Sequence, residues 1–231
     1  MIIWIMGDSW ATPNYFSPMP GWRSKNHLSE LLADAGHTVF NFGINGSSNI
    51  RSFQECIRHG EEFIGRSDLV VWFHTSMLRD YIDICRNMEL TDCSYQQLDR
   101  GAGIVYPMIK DILQSKGDPA LIAIEGHGKF VQPHFDRTFK PDHIVHNWRG
   151  QIVGLPDLNP PFMSEAGYLE GVKSLSEKEL EQLVDDIEHM QSHMSQELFP
   201  DFSHPGDIPH QQLYLDLLPI IHDIEKQLGT S

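Results

Sequence analysis

The chain has 231 residues, enough for one α/β domain with a sizeable core and no need of disulfide staples. Its 32 acidic residues outnumber 17 basic ones, and the net charge of −15 repels polyanions, which disfavours nucleic acid as a partner. The 3 cysteines, Cys56, Cys85 and Cys93, are odd in number and lack Cys-x-x-Cys spacing, so neither a disulfide framework nor a cysteine zinc site is indicated.

No apolar run of about 20 residues offers a membrane span. Ile2–Met6 opens the chain without a basic flank and is too short for a leader's apolar stretch, so a signal peptide is not expected. It reads instead as a strand covered on both faces. Helix is expected over 22–35, where Leu28, Leu31 and Leu32 share a face and Gly36 stops the run. Strand follows over 38–42, helix over 50–64 and strand over 68–73. A helix over 103–115 carries Ile104, Met108, Ile109, Ile112 and Leu113 on its apolar positions, and a strand follows over 121–124. The stretch from about 126 to 165 is loop-rich, with a weak fifth strand near 143–145. Ser176 and Glu179 form a capping box for a helix reaching about Leu198. A last helix follows Pro209, and Pro219 is expected to kink or split it. Alternating strand and helix implies a parallel α/β sheet of about five strands, in one domain over 1–231.

Open parallel sheets place ligands outside the carboxyl ends of their strands. Gly7-Asp8-Ser9 ends the first strand. Asn41-Phe42-Gly43-Ile44-Asn45-Gly46-Ser47-Ser48-Asn49 follows the second, and His74-Thr75-Ser76 the third. Asp201-Phe202-Ser203-His204-Pro205 precedes the last helix. Each motif alone is weak. A Gly-Asp-Ser is also a common turn, and Asp-x-x-His recurs from Asp207 to His210.

Together, and in this order, they resemble the SGNH (GDSL) hydrolase family over nearly the whole chain, with a gap in the middle third. The resemblance implies the SGNH hydrolase fold, a flavodoxin-like three-layer α/β sandwich around a central parallel sheet of about five strands, and a serine esterase. Ser9 would be the nucleophile, His204 the base that takes its proton, and Asp201 the group that orients the imidazole. It further implies an oxyanion hole built from the backbone N–H groups of Ser9 and Gly46. Gly43 is the neighbouring alternative, better read as shaping the turn. Asp207 and His210 read as surface or helix-start residues, with His210 lining the site as the alternative.

The chain departs from the family at its third block. Where Gly-x-Asn-Asp is usual, this chain has His74-Thr75-Ser76-Met77, with no Asn to act as third oxyanion donor. A hydroxyl of Thr75 or Ser76, or the His74 ring, can stand in its place, or the donor is absent.

Other constellations are weaker. His189 and His193 share a helix face, but Met190 stands where a His-Glu-x-x-His motif needs Glu. Glu125, His127, His134, Asp136, His143 and His146 match no metal spacing. No metal or other cofactor is therefore expected. Gly-x-Ser-x-Gly, Gly-x-Gly-x-x-Gly and P-loop motifs are absent. Two expectations of function follow. One is an esterase or deacylase removing a short acyl group, such as acetyl, from a polar or carbohydrate alcohol, with Trp10, Tyr15, Trp22, His127 and Trp148 rimming the cleft. The other is a binding or structural module of the same fold with little turnover. Neither involves nucleic acid or a membrane.

Overall fold

Ile2–Met6, the first strand β1, is apolar at every position, and its side chains part to two faces as strand geometry requires. Trp4 and Met6 enter one core, Ile3 and Ile5 the other. The same division holds in β3 (Leu69–His74), where Val70 and Trp72 join the first core and Leu69, Val71 and Phe73 the second. A strand buried on both faces has no room for alternating polarity, which explains the unbroken apolar runs.

In the computed structural model the described residues are 1–12, 26–63, 66–77, 79–80, 95–126, 130–148, 151 and 205–229. They form five parallel strands in the order β2-β1-β3-β4-β5, with β2 Thr38–Asn41, β4 Ala120–Glu125 and β5 His143–Val145. This is the flavodoxin-like order, and the expected doubly covered sheet of about five strands is present. Five helices are described: α1 Leu28–Asp34, α2 Asn49–Phe63, α3 Tyr95–Ser115, α4 Gln132–Thr138 and α5 Asp207–Leu228. The chain goes from β1 outward to β2, then back past β1 to β3. Right-handed crossovers in opposite directions put successive helices on opposite faces. Accordingly α1 and α5 cover the Ile3 and Ile5 face, while α2, α3 and α4 cover the Trp4 and Met6 face.

Trp72 is the hub of the second-named face, with Phe53 and Phe139 each 5.5 Å away between ring centroids and Tyr106 at 6.0 Å. At the amino ends of the strands, two aspartates serve as surrogate acceptors for the neighbouring strand. Asp68 accepts the N–H of Ile2 at 2.8 Å, and Asp142 that of Leu121 at 2.8 Å.

Several boundaries differ from expectation. Helix α1 begins at Leu28, where extended His27 (ψ 147°) caps it and its ring accepts the N–H of Ser29; residues 22–25 lie outside those described. Helix α3 starts eight residues earlier than its apolar repeat, with Pro107 inside it. Gly103 belongs there because a Cβ would come 3.1 Å from the His134 ring of α4. The short α4 has no counterpart among the expected helices. Helix α5 opens at Asp207 and runs to Leu228 as one helix, so Pro219 does not split it. Pro209 falls in its first turn, where a missing N–H costs nothing. The expected helix of 176–198 lies outside the described residues. Among those described, no helix is long and apolar enough to cross a membrane.

Helices α1 and α5 meet through two buried imidazoles. His27 and His210 stand 4.1 Å apart between ring centroids, and His210 also packs on Phe73 and Trp148. His210 is a helix-start residue but not a surface one: it is 2% exposed. Burial lowers the His27 pKa to about 3, against smaller raising effects of the Trp10 backbone and the Asp207 charge. Burial, then the His27 ring, holds His210 well below the ordinary range. In the unfolded chain both titrate near 6.5, at about the reference value. The folded chain therefore refuses protons that the unfolded chain accepts. Stability from this source is complete above about pH 6.5 and is lost as pH falls toward 3. The urea midpoint should drop between pH 7.5 and 5, and His210→Phe should flatten that drop. A flat wild-type profile over this range would contradict a neutral buried pair.

Candidate active site

The carboxyl ends of β1, β2 and β3 converge, and glycine makes the convergence possible. Gly7 follows β1 with φ +144°, and a Cβ there would lie 2.6 Å from the Phe73 carbonyl oxygen. Its N–H donates to Ser52 Oγ at 2.8 Å, and the same hydroxyl donates to the Phe42 carbonyl at 2.9 Å. Residues 8–11 then turn, with Ala11 N–H on the Asp8 carbonyl at 3.0 Å. Ser9 sits in this turn, 7% exposed.

The loop after β2 packs directly on that turn. Asn41 donates to the Ala11 carbonyl at 2.6 Å and accepts the Gly43 N–H at 2.8 Å. A Cβ on Gly43 would lie 2.8 Å from the Ala11 backbone, so Gly43 serves close approach. The loop then turns through Ser47 N–H to the Ile44 carbonyl, placing Gly46 at φ +68° beside open space. Gly46 is exposed, and a Cβ on it would meet no described atom within 4 Å.

The segment after β3 is held by Asn49, fully buried at the start of α2. Its Oδ1 accepts from Thr75 N at 2.9 Å and from Trp72 Nε1 at 3.1 Å. Its Nδ2 donates to the Thr75 carbonyl at 3.0 Å and to Asp80 Oδ2 at 2.6 Å. Asp80 Oδ1 accepts the Ile50 N–H at 2.8 Å.

Asp8, 1% exposed, is the charged centre of the group. Its Oδ1 accepts the Trp10 N–H at 3.0 Å. Its Oδ2 accepts from Thr75 Oγ1 at 2.8 Å and pairs with Arg79. A carboxylate this deep needs such a cation, since an unpaired buried charge is costly.

The three residues expected to offer a third donor differ in their surroundings. His74 is fully buried, its Nε2 2.9 Å from the Tyr106 hydroxyl, which also accepts the Val131 N–H. Thr75 is fully buried and its hydroxyl donates to Asp8. Ser76 is the partly exposed member. Asp201 and His204 lie outside the described residues. Immediately beyond His204, Pro205 and Gly206 are buried, and Asp207 accepts the Asn26 N–H at 3.3 Å.

No protein-family model matches the chain, and no curated protein matches it. Solved structures do. TesA is 13% identical, with 97% of this chain and 99% of that chain covered, at a TM-score of 0.47. The psychrotrophic esterase EstA from Pseudoalteromonas sp., solved with monoethylphosphonate as inhibitor, is 12% identical over 100% of this chain and 99% of that one, TM-score 0.46. Axe2, an acetylxylan esterase from Geobacillus stearothermophilus solved as a catalytic mutant, is 14% identical over 94% and 92%, TM-score 0.41. Likeness at this level assigns no activity.

Two aromatic expectations are corrected. Trp10 and Trp148 do not rim a cleft: they are 0% and 3% exposed and meet edge to face at 5.6 Å in the core beneath the turn. Their apolar surface outweighs any role at the rim. Tyr15, Trp22 and His127 lie outside the described residues. The described members of the looser His and acid cluster fall into separate contacts. Glu125 accepts the N–H groups of Phe130 and Asn147 and faces His146, whereas His134 pairs with Asp99. Among the described residues no three His, Cys, Asp or Glu are grouped to hold a metal ion.

A cavity of about 550 Å³ lies at the other end of the sheet, beside Asp68, Ala120 and Asp142. Lys110, Arg137 and Lys140 line it near the ends of α3 and α4, where cations offset exposed helix carbonyls. It is remote from the convergence of β1, β2 and β3.

Sequence reasoning gives no role to Asn49, Asp80 or Arg79. The one signal is Asp8 itself, since an aspartate at the end of a buried strand needs a donor. Asn49→Ala should leave the Thr75 peptide, Trp72 Nε1 and Asp80 short of partners. We expect a loss of about 3 kcal/mol or more in urea unfolding. A loss below about 1 kcal/mol would show that water replaces the amide.

Proposed function

We propose that this chain is an SGNH-type serine ester hydrolase with Ser9 as nucleophile. The carrying observation is the position of Ser9 at the end of β1, where the strand order reverses between β2 and β3. That is where open α/β sheets form their ligand crevice. The turn of Ser9 and the loop of Gly46 are packed on one another, and the exposed position of Gly46 suits an oxyanion donor beside the Ser9 N–H.

His204 is the proposed base and Asp201 its orienting partner. Support comes from the helix just beyond them. Helix α5 opens beside Asn26 and His27, and His210 in its first turn touches Phe73 near the end of β3. His204 precedes that helix by three residues. His210 is a poor candidate base, since its ring is buried among aromatic neighbours. In the proposed reaction Ser9 Oγ attacks the ester carbonyl as His204 takes its proton. The oxyanion is held by the Ser9 and Gly46 N–H groups, and His204 returns the proton to the leaving alcohol. Water then repeats the sequence on the acyl-enzyme. Ser76 is the proposed third donor. The acyl group is proposed to be short, acetyl foremost, on a polar alcohol such as a sugar hydroxyl. The charge of −15 disfavours polyanionic substrates.

One observation favours the second reading, a binding module with little turnover. His74 and the Thr75 hydroxyl are both committed elsewhere, so the hole relies on two backbone donors and Ser76. Loss of one donor can raise a barrier by about 2.7–4 kcal/mol, which slows an esterase without abolishing it.

Ser9→Ala should abolish p-nitrophenyl acetate hydrolysis and fluorophosphonate labelling with the circular dichroism spectrum unchanged. Retained turnover would remove Ser9 from the mechanism. His204→Ala should lose most activity, and His210→Ala much less, assayed at a temperature where both are folded. The opposite ranking would move the base to His210. Across p-nitrophenyl esters of rising chain length, activity should peak at about two to four carbons; a maximum at eight or more points instead to a long-chain acyl hydrolase.

A further inference from the structure

Three segments carry the proposed oxyanion donors, and one residue touches all three. Arg79 Nη1 pairs with Asp8 Oδ2, and Asp8 is the residue before Ser9. The same Nη1 lies 3.4 Å from the carbonyl oxygen of Ser47, the residue after Gly46. The Arg79 backbone N–H donates to the Ser76 carbonyl at 3.0 Å. One side chain and its own peptide thus span Asp8, Ser47 and Ser76.

We propose that Arg79 is the positioning residue of the oxyanion hole, a role that rests on the serine hydrolase reading above. Donors in such a hole act by being preset where charge develops, so their relative placement decides their worth. The Ser9 turn and the Gly46 loop lie far apart in sequence, on either side of α1 and β2. Asn41 joins them on the side of Ala11, and Arg79 joins them on the side of Asp8. Asp8 ties the guanidinium inward, its other bonds going to Trp10 N–H and Thr75 Oγ1. Arg79 itself is 27% exposed at the side chain, and it stands at the open edge of the group rather than in the core. A residue needed only to fill the core would be buried and apolar. Arg79 touches no reacting atom in this scheme, and acts through the segments it holds.

The test uses the full chain, p-nitrophenyl acetate and a fluorophosphonate probe. Arg79→Met should lower kcat and the labelling rate by roughly 10- to 100-fold, with KM changed by about twofold or less. Arg79→Lys should recover part of kcat, since it restores a cation on Asp8. Arg79→Met also leaves the Asp8 carboxylate unpaired, so it should lower the melting temperature. The Asp8→Asn/Arg79→Met double variant removes that charge and should regain melting temperature without regaining kcat. A purely structural role predicts that kcat returns with stability in the double variant, and that result overturns the proposal. Wild-type kcat in Arg79→Met also overturns it, even if Ser9→Ala is inactive and the serine hydrolase reading stands. If Ser9→Ala keeps its turnover, both readings fall together.

Discussion

Strands that end beneath the surface leave peptide groups out of reach of water, and each must find a partner inside the protein. Asn49 answers that requirement here. Its amide uses both donors and both acceptor positions, and two of its bonds go to the N–H and C=O of Thr75. The side chain thus behaves as a strand peptide would, extending the sheet by one residue where no neighbouring strand continues. Asp cannot donate and Leu cannot pair, so neither is a substitute. With the Thr75 backbone fixed, its hydroxyl is directed to Asp8, and Asp8 in turn holds the turn of Ser9. The shape of the proposed site follows from one buried amide and one buried carboxylate.

The fold is legible wherever periodicity and punctuation agree. Ile2–Met6 and Leu69–His74 are uninterrupted apolar runs because both of their faces are covered. Helix α2 lies within a residue of its expected bounds at each end. The misses have local causes. Residues 95–102 of α3 have no continuous apolar stripe, and Gly103 and Pro107 argue against a helix that tertiary packing nonetheless sustains. In α4 seven residues are too few for a 3.6-residue period to show. Pro219 argues for a break in α5, yet Leu217, Ile221 and Ile224 stay buried on both sides of it.

The site is legible as motifs but not as bonds. Gly-Asp-Ser after β1 and the glycine-rich loop after β2 can be placed from chain order alone. Which of His74, Thr75 and Ser76 are bonded inside the protein cannot, because that depends on Tyr106 and Asp8, which are distant in sequence. The aromatic residues mislead for a related reason. Tryptophan is suited both to sugar faces and to cores, and only packing shows that Trp10 and Trp148 fill the space under the turn. His210 reads as polar, yet it is enclosed by His27, Phe73 and Trp148.

The contact between Asn26 and Asp207 joins positions 181 residues apart, and it has a consequence for how the molecule is made. On a ribosome, β1, α1 and β3 emerge long before α5. Until α5 arrives, the face formed by Ile3, Ile5, Val71 and Phe73 lacks Leu213, Leu217, Ile221 and Ile224, which pack on it in the folded chain. Such a nascent sheet presents a broad apolar surface and waits for a partner from far along the chain. Low local contact content slows folding and lengthens that exposure. Helix α5 therefore completes this face well after the strands it covers have been made, and a ribosome stalled before it leaves Ile3, Ile5, Val71 and Phe73 without the α5 side chains that pack on them.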